Sequence, residues 1–120
     1  MGLDGVLTMA EEITRADEVI NLAPEEVDAG LRAGRMVLVD VREPNETSVE
    51  SYPDAVMVPL SCFDPAAIPD PQGKQVVFAC RSGRRSITAS VAAQDAGYSY
   101  NAHLAGGIIA WKAAGLPTKT

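Results

Sequence analysis

The stretch Gln75-Val76-Val77-Phe78-Ala79-Cys80-Arg81-Ser82-Gly83-Arg84-Arg85-Ser86 decides how this chain is read. Gln75 to Ala79 is an almost unbroken apolar run, the pattern of a strand buried on both faces of a parallel sheet. Ile87 to Ala96 is alanine-rich and reads as a helix closed by Gly97, which suits the position after a helix end. Strand, tight turn and helix in that order put Cys80 at the mouth of a loop. The backbone N–H groups of such a loop can converge on whatever the sulfur carries. Gly83 supplies the positive φ that a cradle-shaped turn requires. A free thiol, with a pKa of about 8.5, is a weak nucleophile until it ionises. A helix N-terminus, converging N–H groups and the guanidinium groups of Arg81, Arg84 and Arg85 all favour the thiolate. Cys80 is therefore the candidate nucleophile, with Arg81, Ser82, Gly83, Arg84 and Arg85 as the anion-binding loop. Ser86 either adds a hydroxyl donor or caps the following helix. His103 is the single histidine and lies far along the chain, so no Cys–His dyad is expected.

Outward from this loop, other apolar runs alternate with helical segments. Val19 to Leu22 is a short strand. Pro24 opens a helix with Glu25, Glu26 and Asp28 in its first turns, and Gly34 stops it. Met36 to Val39 is a second strand, ending in Asp40, and Pro44 opens a short helix through about Val49. Tyr52-Pro53-Asp54 is a turn. Ala55 to Val58 is a third strand, stopped by Pro59, and residues 61–74, with three prolines and a glycine, are mostly loop. Asn101 to Leu104 is a fifth, weaker strand. Gly106-Gly107 introduces a last helix from Ile108 to Ala114, which buries Ile109 or Trp111 and stops at Gly115. The pattern predicts an α/β fold: an open, mainly parallel five-stranded sheet flanked by helices on both faces. Ligands of such sheets bind beyond the strand carboxyl ends. Asp40 to Arg42, Leu60 to Cys62 and Cys80 to Arg85 should therefore share one edge.

Composition narrows the function. The 120 residues fit one domain, read here as 18–118 behind a mobile extension over residues 1–17. No stretch reaches the ~20 continuous apolar residues of a membrane span, and no basic-then-apolar leader opens the chain, so a cytoplasmic protein without a membrane partner is expected. The net charge of −6 is split: 13 acids and 4 bases precede Ala55, whereas 3 acids and 6 bases follow from there. Half of those later bases sit in the Cys80 loop. That suits a small anion and argues against nucleic acid. Two cysteines and one histidine make neither a disulfide framework nor a zinc site, so no metal and no cofactor are expected.

Taken together, the motifs resemble the single-domain rhodanese family. The blocks are Val39-Asp40-Val41-Arg42-Glu43-Pro44, Val58-Pro59-Leu60, Cys80 to Ser86, Ala96-Gly97-Tyr98, Leu104-Ala105-Gly106-Gly107-Ile108-Ile109-Ala110-Trp111 and Gly115-Leu116-Pro117. They run in the family's order over roughly residues 18–118. The resemblance implies a cofactor-free sulfurtransferase that works by a ping-pong route. Cys80 would take a sulfane sulfur from a small anionic donor such as thiosulfate, become a persulfide, and pass the sulfur to cyanide, a thiol or a protein acceptor. Backbone N–H groups of residues 81–85 would hold the persulfide, and Arg81, Arg84 or Arg85 would attract the donor. Asp40 and Arg42 would be structural, tying the end of the second strand to its neighbours. An alternative within the family is a sulfur-relay or regulatory module with little free turnover. Phosphatases and arsenate reductases of similar fold carry Cys, five residues, then Arg. Here the sixth position after Cys80 is Ser86, which favours a sulfur-sized cradle over a tetrahedral oxyanion.

The chain also departs from the family. Where Gly-His-Ile-Pro-Gly is usual it has Glu50-Ser51-Tyr52-Pro53-Asp54, and Asp54 is expected to keep the left-handed turn. Thr47 replaces a common aromatic. Cys62 is expected to be a half-buried bystander, though a position on the active edge would let it resolve an oxidised Cys80. Trp111, at helical spacing from Ile108, is expected in the core.

Overall fold

The computed structural model describes residues 18–120; the extension expected over residues 1–17 lies outside the described residues. Five strands, β1 (Ile20–Leu22), β2 (Met36–Asp40), β3 (Val56–Met57), β4 (Gln75–Ala79) and β5 (Ala102–Leu104), form one sheet in the order β1-β5-β4-β2-β3. Every pairing in it is parallel. The helices are α1 (Pro24–Arg32), α2 (Pro44–Thr47), α3 (Arg85–Asp95) and α4 (Gly107–Ala113), with 3-10 turns at Leu60–Cys62 and Pro65–Ala67.

Alternation along β2 and β4 divides the core into two layers. Leu38, Val77 and Ala79 face one side, where Val27 of α1 and Ile108 and Trp111 of α4 cover them. Val39, Val76, Phe78 and Cys80 face the other, under Ala89 and Ala93 of α3. Helices thus cover both faces, as the unalternating apolar runs require. The small alanines let α3 lie close to the sheet, and that proximity brings its first turn onto the cysteine.

Several details differ from expectation. The third strand holds only Val56–Met57 in the ladder, although the Val58 N–H still donates to the Asp40 carbonyl at 3.0 Å. Proline at 59 has no N–H to extend the pairing, and Met57 is exposed at the sheet edge. The helix opened by Pro44 stops at Thr47. Helix α4 buries Ile108 and Trp111 and leaves Ile109 exposed. Trp111 is core as expected: it stands edge-on to Tyr52 at 5.7 Å and donates its ring N–H to the Pro117 carbonyl.

The altered segment keeps its turn, with Asp54 at φ 55°. It gains ties of its own: Ser51 pairs with Lys119 in an antiparallel bridge, and Glu50 accepts from Lys112 at 2.8 Å and Thr118 at 2.6 Å. Tyr52, almost fully buried, donates its hydroxyl to the Cys80 carbonyl at 2.7 Å. Among the described residues no helix is long and apolar enough to cross a membrane.

Candidate active site

The carboxyl ends of the strands meet as the topology demands. Past β2, the Val41 N–H donates to the Ala79 carbonyl at the end of β4, and the Leu60 N–H donates to the Val41 carbonyl. At the other side of the loop, the first turn of α4 donates the Ile108 N–H to Cys80 and the Ile109 N–H to Arg81. Gly107 is required there: at φ 60° any Cβ would collide with the Arg81 carbonyl and come within 2.6 Å of that of Cys80. Gly83 adopts φ 98°, and a Cβ on it would stand 2.9 Å from the Gly106 nitrogen. Two glycines therefore let the Cys80 loop nest against the start of α4.

Cys80 Sγ lies inside this loop with the residue only 1% exposed. The Gly83 N–H points at it over 3.1 Å, and Ser86 Oγ is 3.5 Å away. Burial pushes the thiol up, but the Ser86 hydroxyl and the backbone N–H groups of Ser86, Gly83 and Ser82 outweigh it, so the net shift is downward. The hydroxyl and N–H groups of the cradle itself therefore favour the thiolate.

The three arginines of the loop separate into two kinds. Arg85 opens α3 and makes a fork to Glu46, with nitrogens 2.6 Å and 2.8 Å from the two carboxylate oxygens. Glu46 is held down to about 2, first by that hydrogen-bonded guanidinium, against the opposing effect of burial. Arg85 therefore arrives neutralised. Arg81 and Arg84 are exposed and have no ion-pair partner among the described residues. Ser82 is exposed too, and its backbone N–H helps to lower the Cys80 thiol.

Asp40 and Arg42 form a second, buried pair at the end of β2. Arg42 donates from Nε and Nη2 to the Asp40 carboxylate, the shortest contact being 2.8 Å, and its backbone N–H donates to the same group. Nη2 also reaches the Glu50 carbonyl at 3.0 Å, and the guanidinium lies over the Tyr52 ring at 5.4 Å. This pair fastens the altered segment to the strand end. Glu43, beside it, accepts from the Ser61 hydroxyl at 2.6 Å and its N–H at 3.2 Å, which holds the 3-10 turn after β3.

Ser86 is not a cap. Arg84 occupies the N-cap position, and Ser86 points inward with no exposure, its Oγ 2.8 Å from His103 Nδ1. Glu46 was passed over in the sequence, and His103 was set aside there as too distant for a dyad; it reaches Cys80 only through Ser86. The charge asymmetry between the two halves was the signal for Glu46; for His103 there was none. Cys62 is exposed, not half-buried, and both thiols are free. No cluster of metal-binding side chains occurs among the described residues. A cleft of about 390 Å³ opens beside the loop, lined by Arg81, Val49, Ile108, Ile109 and Lys112. Lys112 is committed to Glu50, and Val49 and Ile109 present 72% and 49% of their surface to solvent.

Several known proteins resemble this chain in sequence or fold. The chain is 40% identical over 99 residues to an uncharacterised protein of Synechocystis, covering 82% of this chain and 55%, about half, of that one. It is 39% identical to a sulfurtransferase of Allochromatium vinosum, over 68% of this chain and 77% of the relative. Among solved structures, a protein of Rhodopseudomonas palustris described as a possible tyrosine phosphatase superposes with a TM-score of 0.74 at 30% identity, covering 90% of this chain and 91% of the other. A thiosulfate sulfurtransferase of Pseudomonas aeruginosa superposes with a TM-score of 0.71 at 32% identity, over 90% of this chain and 22% of that one. The rhodanese-like domain family model matches residues 23–114, and the chain belongs to that family.

Proposed function

We propose that the protein is a sulfurtransferase that carries sulfur as a persulfide on Cys80. The observation that carries this reading is the cradle itself, a buried sulfur facing the Gly83 N–H at 3.1 Å within a loop whose sixth position is Ser86 and not arginine. The Cys80 thiolate attacks the outer sulfur of thiosulfate, the S–S bond of the donor breaks, and sulfite leaves with the bonding pair. The persulfide anion keeps the charge, and the N–H groups of Ser82, Gly83 and Ser86 stabilise it as an oxyanion hole would. Cyanide or a thiolate then takes the outer sulfur and returns Cys80 to the thiolate. Arg81 and Arg84 attract the doubly charged donor, since no carboxylate neutralises them among the described residues. Arg85 acts through Glu46, holding α2 against α3 beside the loop. Relatives described as sulfurtransferases, including a mitochondrial thiosulfate sulfurtransferase of Saccharomyces cerevisiae at 30% identity, support the assignment.

The exposed Val49 and Ile109 beside Arg81 favour a second reading, in which a protein delivers or accepts the sulfur at this cleft and free turnover is slow. A phosphatase reading has less support: Ser86 stands at the sixth position and faces His103, so no guanidinium grips a phosphate from there. The test is thiocyanate formation from thiosulfate and cyanide. Turnover that vanishes in Cys80→Ala is the expected result, and full activity in that variant overturns the proposal. Ready loading of Cys80 with slow thiocyanate release selects the protein-relay form.

A further inference from the structure

Behind Cys80 a single line of polar groups runs through the core to Asn21, which is exposed on the edge strand β1. Cys80 Sγ is 3.5 Å from Ser86 Oγ, Ser86 Oγ is 2.8 Å from His103 Nδ1, and His103 Nε2 is 2.6 Å from Asn21 Oδ1. Four elements supply these groups: the end of β4, the first turn of α3, β5 and β1. Asn21 and His103 are register partners in the parallel β1–β5 pair, so their side chains leave the same face. Cys80, Ser86 and His103 are at most 2% exposed.

The donors of this line all run one way. Asn21 Oδ1 can only accept, so Nε2 carries the ring hydrogen and Nδ1 of the neutral imidazole is an acceptor. The Ser86 hydroxyl then donates to Nδ1, and its lone pairs are left to receive the Cys80 S–H. We propose that Ser86 and His103 form a proton relay for Cys80. The thiol proton passes to Ser86 Oγ as the hydroxyl proton passes to His103 Nδ1. The S–H bonding pair stays on sulfur, so the products are a thiolate and an imidazolium, with no proton gained from or lost to solvent. Afterwards the Ser86 hydroxyl donates to the thiolate, Nδ1–H donates to Ser86 Oγ, and Nε2–H still donates to Asn21. Each hydrogen bond of the line survives with its direction reversed or kept.

The environment of the ring fits a transient charge. Burial lowers the His103 pKa, so the ring rests neutral and able to accept. It faces Asn21 from β1, Ser86 from α3 and Gly83 from the loop, with Phe78 as its register partner on β4. None of these is charged, so among the described residues the ionisable group joined to the ring is Cys80. The thiolate is thus the charge that stabilises the imidazolium, and the two groups titrate as a pair. His103 is a positioning residue here, acting on the reacting sulfur through Ser86.

The relay rests on Cys80 as the reacting atom but not on sulfur transfer, and its test needs none. In a Cys62→Ser background, the rate of Cys80 alkylation by iodoacetamide is measured against pH for His103, His103→Asn and His103→Gln. Asparagine can place a donor where Nδ1 stands but cannot take a proton. Both variants are expected to move the alkylation midpoint upward and slow alkylation at neutral pH on the order of tenfold. A profile unchanged in either variant, or one restored by asparagine alone, overturns the relay. Folding defects are controlled by a second measurement on the unsubstituted ring. The chain has one histidine, so its imidazole proton resonances are unambiguous. They should titrate at lower pH in Cys80→Ala than in the native protein, and identical titrations overturn the relay. A positive relay with no thiocyanate formation would defeat the proposed sulfur transfer alone.

Discussion

Two arginine–carboxylate pairs hold the active edge together, and they are opposites in setting. Arg42–Asp40 closes at 2.8 Å with side chains 4% and 0% exposed, whereas Arg85–Glu46 closes at 2.6 Å with 32% and 24% exposed. The inner pair is saturated: Asp40 takes two side-chain nitrogens and a backbone N–H, and Arg42 also serves the Glu50 carbonyl. The outer pair is a two-bond fork that water reaches. The first is a fixture, costly to break because a lone charge would be left in the core. The second is an adjustable clamp, and its removal leaves only solvated groups.

Breaking the inner pair should have the largest effect. Arg42→Ala leaves the Asp40 carboxylate buried and unpaired, and should cost about 3–5 kcal/mol of stability. Urea denaturation at neutral pH measures it. A loss under about 1 kcal/mol would mean that water or another cation reaches Asp40.

Breaking the outer pair should be milder and should change binding more than folding. Glu46→Gln is expected to cost about 1 kcal/mol or less at neutral pH, while freeing a third guanidinium beside the loop. The KM for thiosulfate should fall, most clearly at low ionic strength where charges are less screened. The same variant tests the pH dependence. Glu46 is lowered from 4.5 unfolded to about 2 folded. Its contribution is therefore fully present above 4.5 and is lost as pH falls toward 2. The stability difference between native protein and Glu46→Gln should shrink across that window, and a constant difference would detach the shift from the Arg85 pair.

The smallest effect belongs to Tyr52, whose ring lies under the inner pair. Tyr52→Phe removes a 2.7 Å bond to the Cys80 carbonyl, but that carbonyl still accepts the Ile108 N–H at 2.9 Å. Since the acceptor is not orphaned, the cost should stay near the lower end of about 0.5–1.5 kcal/mol. A thermal melt beside the native protein measures it, and a larger loss would assign the hydroxyl a part in shaping the loop.

The outer pair also shows where sequence reasoning stops. The Cys80 loop was legible because its signals are local: an apolar run, a glycine, a run of arginines and an alanine-rich helix lie within about one turn of each other. The parallel sheet followed from unalternating strands. Glu46 and Arg85 are 39 residues apart and meet only because α2 and α3 approach across the edge, so the arginine counted for the anion proved to be already paired. Ser86 had two local readings, hydroxyl donor or cap, and tertiary contact decided against the cap by turning the hydroxyl toward Cys80 and His103. His103 is 17 residues from Ser86 and carries no motif; the β5–β4 register brings it to the site. Ile109 and Ile108 are equal in hydropathy, and only the direction in which α4 leaves Gly106 decides which one is buried.

The central claim is that Cys80 carries sulfur, and an intact mass tests it most directly. After incubation with thiosulfate and removal of the excess, the native protein should gain about 32 Da and lose it on addition of cyanide, while Cys80→Ala gains nothing. An unchanged native mass, or the same gain in Cys80→Ala, would contradict the account.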